Sequence, residues 1–225
     1  MNLHENNHLI RGPEEFGAHL PITSQENFVN GLYSSVDEAI ASGLDRLRSE
    51  EGFIPTCKLG CSHCCRFHIL TNIAEGHTLA QYIKREWTIE QINDLQRRTR
   101  QWHEWDNSRP CRYPAANMDQ QPDLTNYDPC CPLLVNGQCS AYSVRPVACR
   151  THFVCSNPKS CQAANDPEST EEAPVVLRSV VMGTTLFSMA LRDYIGKAGL
   201  EFSESLMLLP QGLAIEMNWD FALSL

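Results

Sequence analysis

Two groups of cysteines constrain this chain more than any other feature. They are Cys57, Cys61, Cys64 and Cys65 in CKLGCSHCC, and Cys131, Cys139 and Cys149 in CPLLVNGQCSAYSVRPVACR. Spacings of two or three residues let one short loop aim several thiolates at one centre. A chain of 225 residues buries a core without disulfide staples, so its 11 cysteines need a chemical explanation. We predict that the fold brings both groups together as one metal-binding site.

The sequence also predicts the compartment. Its N-terminal residues lack a basic segment followed by an apolar run, so we expect no signal peptide and a cytoplasmic, reducing location. Clustered cysteines in that setting indicate metal ligands or redox centres rather than disulfides. The longest apolar stretch, 175–191, contains Arg178 and Gly183 and is too short and polar to span a bilayer.

The charge pattern separates the site from the rest of the chain. A formal net charge of −9 gives no general attraction to nucleic acid, so we expect no nucleic-acid partner. Local cations nevertheless flank the cysteines, namely Lys58, Arg66, Arg145 and Arg150. Nearby cations favour thiolates. We therefore predict that these four side chains offset the negative charge of the centre or its cofactor.

Hydrophobic periodicity predicts a mostly α protein, a small helical domain around an irregular cysteine-rich centre. The predicted helices cover about 35–50, 72–87, 88–105, 174–197 and 212–223. The segment 131–142 has an Asn136-Gly137 turn between short runs, which favours one small β-hairpin. We divide the chain into a flexible N-terminal arm (1–27), a metal-binding domain (28–165) and a C-terminal helical extension packing on it (166–225).

The adjacent pair Cys64-Cys65 bears on the kind of centre. Neighbouring side chains in a strand or a helix point in different directions, so binding both to one ion is awkward. Either one of the two thiols packs beside the site without binding the ion, or the site is larger than one ion and holds a cluster, two ions, or a cluster and an ion. We expect Cys155 as the eighth ligand, in competition with Cys161. A single buried cysteine usually acts as a small hydrophobe, which is our expectation for Cys111, Cys130 and Cys161.

Histidines near the cysteines are weaker candidates. His152 lies between Cys149 and Cys155 and has the best position for a ligand or a proton-handling role. His152 and Arg150 are therefore the candidate catalytic residues. The others are expected to be packing or surface residues; they are His63, His68 and His77.

These motifs together resemble a known family. Cys57-x3-Cys61-x2-Cys64-Cys65 is followed by Cys131-Pro132-Leu133 and by Cys139-x2-Tyr142-x2-Arg145-Pro146-x2-Cys149-Arg150. The pattern resembles the CxxCxxCC (YkgJ-like) cysteine-cluster proteins, described as zinc- or iron-chelating and often labelled Fe–S oxidoreductases. The resemblance implies that these seven cysteines form a metal centre. It covers about 57–155, under half of the chain, and leaves the metal and the reaction open.

Three functions follow from these observations. The first is an iron–sulfur protein in electron transfer or oxidoreductase chemistry, which the number of thiols and the flanking cations favour slightly. The second is a structural Zn²⁺ module that organises an interaction surface. The third is a metal-dependent enzyme that modifies a protein or a small molecule. The first two imply a redox or protein partner.

Overall fold

A computed structural model describes residues 25–52, 54–58, 60–108, 130–164, 169–172, 174–177 and 185–223. Most of the predicted arm 1–27 and Cys111 lie outside these ranges. The α-helices are α1 Gln25–Glu51, α2 Ile73–Glu86, α3 Ile89–Ser108, α4 Val147–Thr151, α5 Pro158–Ala163, α6 Thr185–Lys197 and α7 Leu209–Glu216. The strands are β1 Leu70–Asn72, β2 Leu134–Val135, β3 Gln138–Cys139 and β4 Leu206–Leu208. The predicted mostly α fold is confirmed.

The long helices follow the apolar periodicity. Helices α2 and α3 agree with the prediction within a few residues, and the Asn72 side chain caps α2 by accepting the Glu75 amide N–H at 3.1 Å. Helix α1 begins ten residues before its predicted start. Its earlier turns continue the apolar face, because Val29 and Leu32 are fully buried.

The predicted start of the fourth helix at Pro174 is wrong. Residues 174–177 are extended, and Val176 forms an antiparallel bridge with Val154. β-Branched side chains such as Val175 and Val176 favour this conformation, and a partner segment is available to pair with them. Within the described part of this region, the helix is α6, beginning at Thr185.

Two small antiparallel sheets complete the fold. The predicted hairpin is confirmed as β2–β3, joined by Asn136 at φ 50° and Gly137 at φ 77°. Positive φ at both turn residues is the pattern of a type I′ turn, which Asn-Gly favours. The other sheet pairs β1 with β4, which are distant in sequence, so local patterns did not reveal it.

One hydrophobic core joins the C-terminal helices to the rest. Helix α2 packs between α1 and α7, and α6 also contacts α1. Core residues from both ends of the chain include Leu32, Leu79, Ile83, Leu191, Ile195 and Leu213. In the described ranges, no helix combines the length and the apolarity needed to cross a membrane. The core supports the cysteine-rich segments from one side.

Candidate metal centre

The first cysteine group lies on a turn followed by a short 3-10 helix. The Cys61 amide donates to the carbonyl of Lys58 at 3.0 Å, and Gly60 between them has a φ of 89°. That left-handed conformation suits glycine. The chain then enters the 3-10 helix His63–Arg66, which contains Cys64 and Cys65. The local sequence thus turns the backbone tightly enough to keep these cysteines together.

A backbone hydrogen bond ties the second group to the first. The amide of Cys131 donates to the carbonyl of Cys65 at 2.8 Å. Cys139 ends strand β3 opposite Leu134, and Cys149 lies on α4. The hairpin and α4 therefore bring their cysteines to the segment that contains Cys64 and Cys65.

Cys57 is held by the segment that follows α4. The Val154 amide donates to its sulfur at 3.2 Å. The neighbouring Thr56 reinforces this contact, since its hydroxyl donates to the Ser156 carbonyl at 2.6 Å. Burial raises the pKa of the Cys57 thiol, the Val154 amide opposes the rise, and the Cys61 and Cys64 thiols add to it.

The adjacent thiols of Cys64 and Cys65 hydrogen-bond to each other, although neighbouring side chains in regular structure point apart. That bond lowers the pKa of Cys64 to about 7, and the Arg145 charge contributes in the same direction. The same bond raises the pKa of Cys65, as do burial and the thiols of Cys131 and Cys139. Cys64 is therefore the thiol most readily ionised within this pair.

The second group is more deeply enclosed. Burial raises the pKa of Cys131 to about 12, with further increases from Cys139 and Cys64. Burial also raises the pKa of Cys149 well above its ordinary value, and Cys131, Cys64 and Cys139 add to the shift. These mutual effects require the thiols to lie near one another. Cys64 contributes to the pKa shifts of thiols in both groups, namely Cys57, Cys131 and Cys149.

The two candidates for the eighth ligand have different surroundings. The Cys155 thiol donates to the Val175 carbonyl at 3.3 Å, in the extended pairing beside Val154. Cys161 is 7% exposed on α5, which packs against the 3-10 helix His63–Arg66. Burial raises the Cys161 pKa to about 11, and Cys57, Cys61 and Cys64 also raise it. Cys161 therefore lies beside the first group.

The four predicted cations have different positions. Arg145 lies over the Tyr142 ring at 3.8 Å, and its charge lowers the pKa of Cys64 and opposes the rise at Cys139. Lys58 is exposed, and Arg66 ends the 3-10 helix. Arg150 is 1% exposed, and its nitrogens donate to Asp37 and to the carbonyls of Ser143 and Arg145. Arg145 thus has a direct electrostatic effect on two site thiols, Cys64 and Cys139.

The histidines contribute mainly packing contacts. His152 packs edge-on against Phe67, with ring centroids 5.5 Å apart, and burial lowers its pKa. His77 Nδ1 lies 2.9 Å from a carboxylate oxygen of Glu216, so this ring takes part in the contact between α2 and α7. The ring of His68 lies 6.4 Å from that of Trp105.

We predict that His152→Ala leaves the metal content of the purified protein unchanged. The ring contacts Phe67, so its loss should reduce the free energy of unfolding by about 1 kcal/mol. Metal analysis and urea denaturation of wild type and variant measure the two effects. A loss of metal from the folded variant would contradict this prediction and identify His152 as a ligand.

A polar network around α4 was not predicted. Glu75 is 4% exposed and accepts the Val147 amide N–H at 2.7 Å, while the Tyr33 hydroxyl donates to it at 3.3 Å. The Tyr33 ring stacks under the Arg150 guanidinium at 4.2 Å. On α4, Cys149 therefore lies between Val147, whose amide is bound by Glu75, and Arg150, which stacks on the Tyr33 ring. In the sequence, the feature that could have indicated this network is an acidic residue, Glu75, on the buried face of α2.

The donor set is compatible with a metal, because the gathered groups are thiols and the ten described cysteines are all free. Among the described residues, however, no three Cys, His, Asp or Glu side chains form a preformed site for one ion. Ligation therefore requires the thiols to draw closer together than they lie here. The residues that would hold a metal are Cys57, Cys61, Cys64, Cys65, Cys131, Cys139 and Cys149, with Cys155 or Cys161 as the eighth.

Comparisons with known proteins add no further information about this site. No family model matches the chain, and no curated protein or solved structure is significantly similar to it. The resemblance to the CxxCxxCC proteins therefore stays a prediction from the motif residues.

Proposed function

We propose that this chain is a cytoplasmic iron–sulfur protein of the CxxCxxCC type with an electron-transfer or oxidoreductase role. The observation that carries the proposal is the direct tie between the two cysteine groups, the 2.8 Å hydrogen bond from the Cys131 amide to the Cys65 carbonyl. Joined in this way, the groups supply more thiols than one tetrahedral ion uses. A multinuclear cluster accounts for the surplus and for the adjacent pair Cys64-Cys65.

The surroundings of the sulfur atoms support this function. The Val154 amide donates to the Cys57 sulfur, and Arg145 supplies positive charge near Cys64 and Cys139. Hydrogen bonds to sulfur and nearby charge are the means by which proteins adjust the potential of iron–sulfur clusters. When bound, the cluster would supply one-electron chemistry, while these groups would hold its ligands and offset their charge.

We assign the eighth ligand to Cys161 rather than Cys155. Cys161 is buried on a helix that packs against the 3-10 helix containing Cys64 and Cys65. Cys155 has its amide N–H and its thiol directed to the carbonyl of Val175. The helix therefore brings Cys161 to the first group, whereas backbone pairing occupies Cys155.

This assignment predicts different results for two matched variants. Cys161→Ser should weaken metal retention about tenfold or more, because a ligand is lost, while Cys155→Ser should retain the wild-type metal content. Both replacements exchange sulfur for oxygen with little change in volume. Metal content after dialysis against graded chelator provides the measurement. Equal retention by the two variants, or a selective loss in Cys155→Ser, would contradict the assignment.

A structural zinc site is the second candidate, and the shortness of the elements around the thiols favours it. Strands β2 and β3 have two residues each, α4 has five and α5 has six. Elements this short are not stable alone, so a metal cross-link would contribute directly to folding.

For either metal, removal should lower stability. We expect chelator-treated protein to unfold at a temperature at least about 5 °C lower than the metal-loaded protein, since a metal bound only by the folded state stabilises it. Thermal unfolding with and without chelator is the measurement, and re-addition of the same metal is the control. An unchanged transition would contradict a structural contribution of the metal.

The identity of the centre is tested by anaerobic purification, followed by iron, zinc and acid-labile sulfide analysis. The proposed function predicts iron and sulfide in comparable amounts, with a broad visible absorption that dithionite bleaches. Colourless protein containing only zinc would contradict the iron–sulfur function and support the zinc module. Protein that retains no metal under these conditions would contradict both.

A further inference from the structure

A cavity of about 250 Å³ lies on the side of α4 that faces β1, α2 and α6. One part of its wall is polar and buried, formed by Thr71, Glu75 and Thr151. Another part is apolar and includes Phe202 and Leu206. Ligand pockets commonly enclose about 300–1,000 Å³, so this one suits a small molecule.

Glu75 is a buried carboxyl whose hydrogen-bond partners are neutral groups; burial raises its pKa, and the hydrogen bond from the Val147 amide opposes the rise. Its carboxylate accepts hydrogen bonds from Tyr33, Thr71 and Asn72 side chains and from the Val147 amide. In the described ranges, no Lys, Arg or His makes an ion pair with it. Arg150 is separated from it by the Tyr33 ring and is paired with Asp37. A buried carboxylate with this environment gains strongly from a cation.

The four hydrogen bonds to Glu75 are not equally tight. Those from Asn72 and the Val147 amide are 2.7 Å long. Those from the hydroxyls of Tyr33 and Thr71 are 3.3 and 3.4 Å long, which is beyond the usual 2.5–3.0 Å for an O–H donor. Each carboxylate oxygen thus has one tight and one loose partner. A hydroxyl can also rotate to accept, so a stronger donor can join the carboxylate without breaking the tight bonds.

We propose that this cavity binds a small primary amine, with its ammonium group at Glu75 and its apolar stem against Phe202 and Leu206. The carboxylate supplies the charge-assisted hydrogen bond, and the Thr71 hydroxyl, which also lines the cavity, accepts a further N–H group. An anionic ligand is disfavoured, because the ionisable side chain that lines this wall, Glu75, is acidic and no basic side chain lines it.

The position of the cavity gives the bound amine a place beside the cysteine groups. Val147, Ala148 and Thr151 of α4 line it, and the same helix contains Cys149. An amine at Glu75 would therefore occupy the far side of the helix that holds a proposed metal ligand. Binding at Glu75 does not itself require the metal, so it can be tested whichever metal the protein contains.

The test is an NMR titration of the full chain as purified, with n-butylamine, n-butanol and butyrate as probes. We expect saturable shifts of the Thr71, Ser188 and Phe202 amides with butylamine, binding about tenfold or more weaker with butanol, and none with butyrate. Butanol or butyrate binding as tightly as butylamine would overturn the proposal, as would the absence of saturable butylamine shifts.

Two variants locate the site. Glu75→Gln keeps the shape of the side chain and should weaken butylamine binding about tenfold or more. Ser188→Trp alters an exposed residue of the cavity wall and should block binding while leaving Glu75 in place. If Glu75→Gln does not fold, the Ser188→Trp variant still tests whether butylamine binds in the cavity. Wild-type affinity in folded Ser188→Trp protein would overturn the location. Metal analysis of the same samples tests the iron–sulfur function separately, because butylamine binding at Glu75 does not require the metal.

Discussion

Replacing Cys64 with serine is expected to remove most of the bound metal. Cys64 is adjacent to Cys65, whose carbonyl accepts the Cys131 amide, and its thiol raises the pKa values of Cys57 in the first group and of Cys131 and Cys149 in the second. It also has a pKa of about 7, which makes it available as a thiolate near neutral pH. Losing this ligand should weaken metal retention by more than about tenfold. Replacing a residue that only hydrogen-bonds to a metal ligand already weakens metal binding by about tenfold or more.

Cys130→Ser is the matched control for this variant. Cys130 is half-buried and adjacent to a site cysteine, but it lies outside the motif. Metal content per chain, measured after anaerobic purification and gel filtration, should stay at the wild-type value in Cys130→Ser and fall in Cys64→Ser. If Cys64→Ser retains the full metal content, Cys64 is not the thiol that joins the two groups.

Replacing Arg150 with methionine should produce the largest loss of stability. Arg150 is 1% exposed and donates to Asp37 and to the carbonyls of Ser143 and Arg145, while stacking on Tyr33. Methionine fills much of the volume but removes the donors to the Ser143 and Arg145 carbonyls and the partner of Asp37. We expect the free energy of unfolding to fall by about 3 kcal/mol.

Lysine at this position should not restore the stability, because one ammonium cannot reproduce the planar guanidinium that reaches three acceptors and stacks on a ring. Arg97→Met is the surface control, since Arg97 is largely exposed and pairs with Asp94 on the same helix. It should change stability by no more than about 0.5 kcal/mol. Urea denaturation of metal-free protein measures these values. A wild-type midpoint for Arg150→Met would show that the network contributes nothing to folding.

Local patterns in the sequence predicted much of the fold. The apolar spacing of α2 and α3 and the Asn136-Gly137 turn each depend on neighbouring residues, and all three appear in the structure. The predicted start of the fourth helix was wrong because Val176 pairs with Val154, a contact between distant segments. Pairing of β1 with β4 was not predicted for the same reason.

The sequence likewise indicated some features of the candidate site and not others. Spacing predicted one site from both cysteine groups, and in the structure the Cys131 amide donates to the Cys65 carbonyl. Spacing could not choose between Cys155 and Cys161, because the choice depends on how α5 packs against the 3-10 helix. Nor could it predict the contact of Glu75 with the Val147 amide, since these residues lie 72 positions apart. Contacts of this kind depend on tertiary packing, which leaves no periodic signal.

Thiols of both cysteine groups are proposed to bind one metal centre. X-ray absorption at the metal edge of anaerobically purified protein tests this proposal directly. The predicted result is a first shell of sulfur alone, near the 2.3 Å typical of metal–thiolate bonds, which is lost together with the metal in Cys64→Ser. A first shell dominated by nitrogen or oxygen would contradict the account, as would a sulfur shell unaffected by replacing both Cys131 and Cys149 with serine.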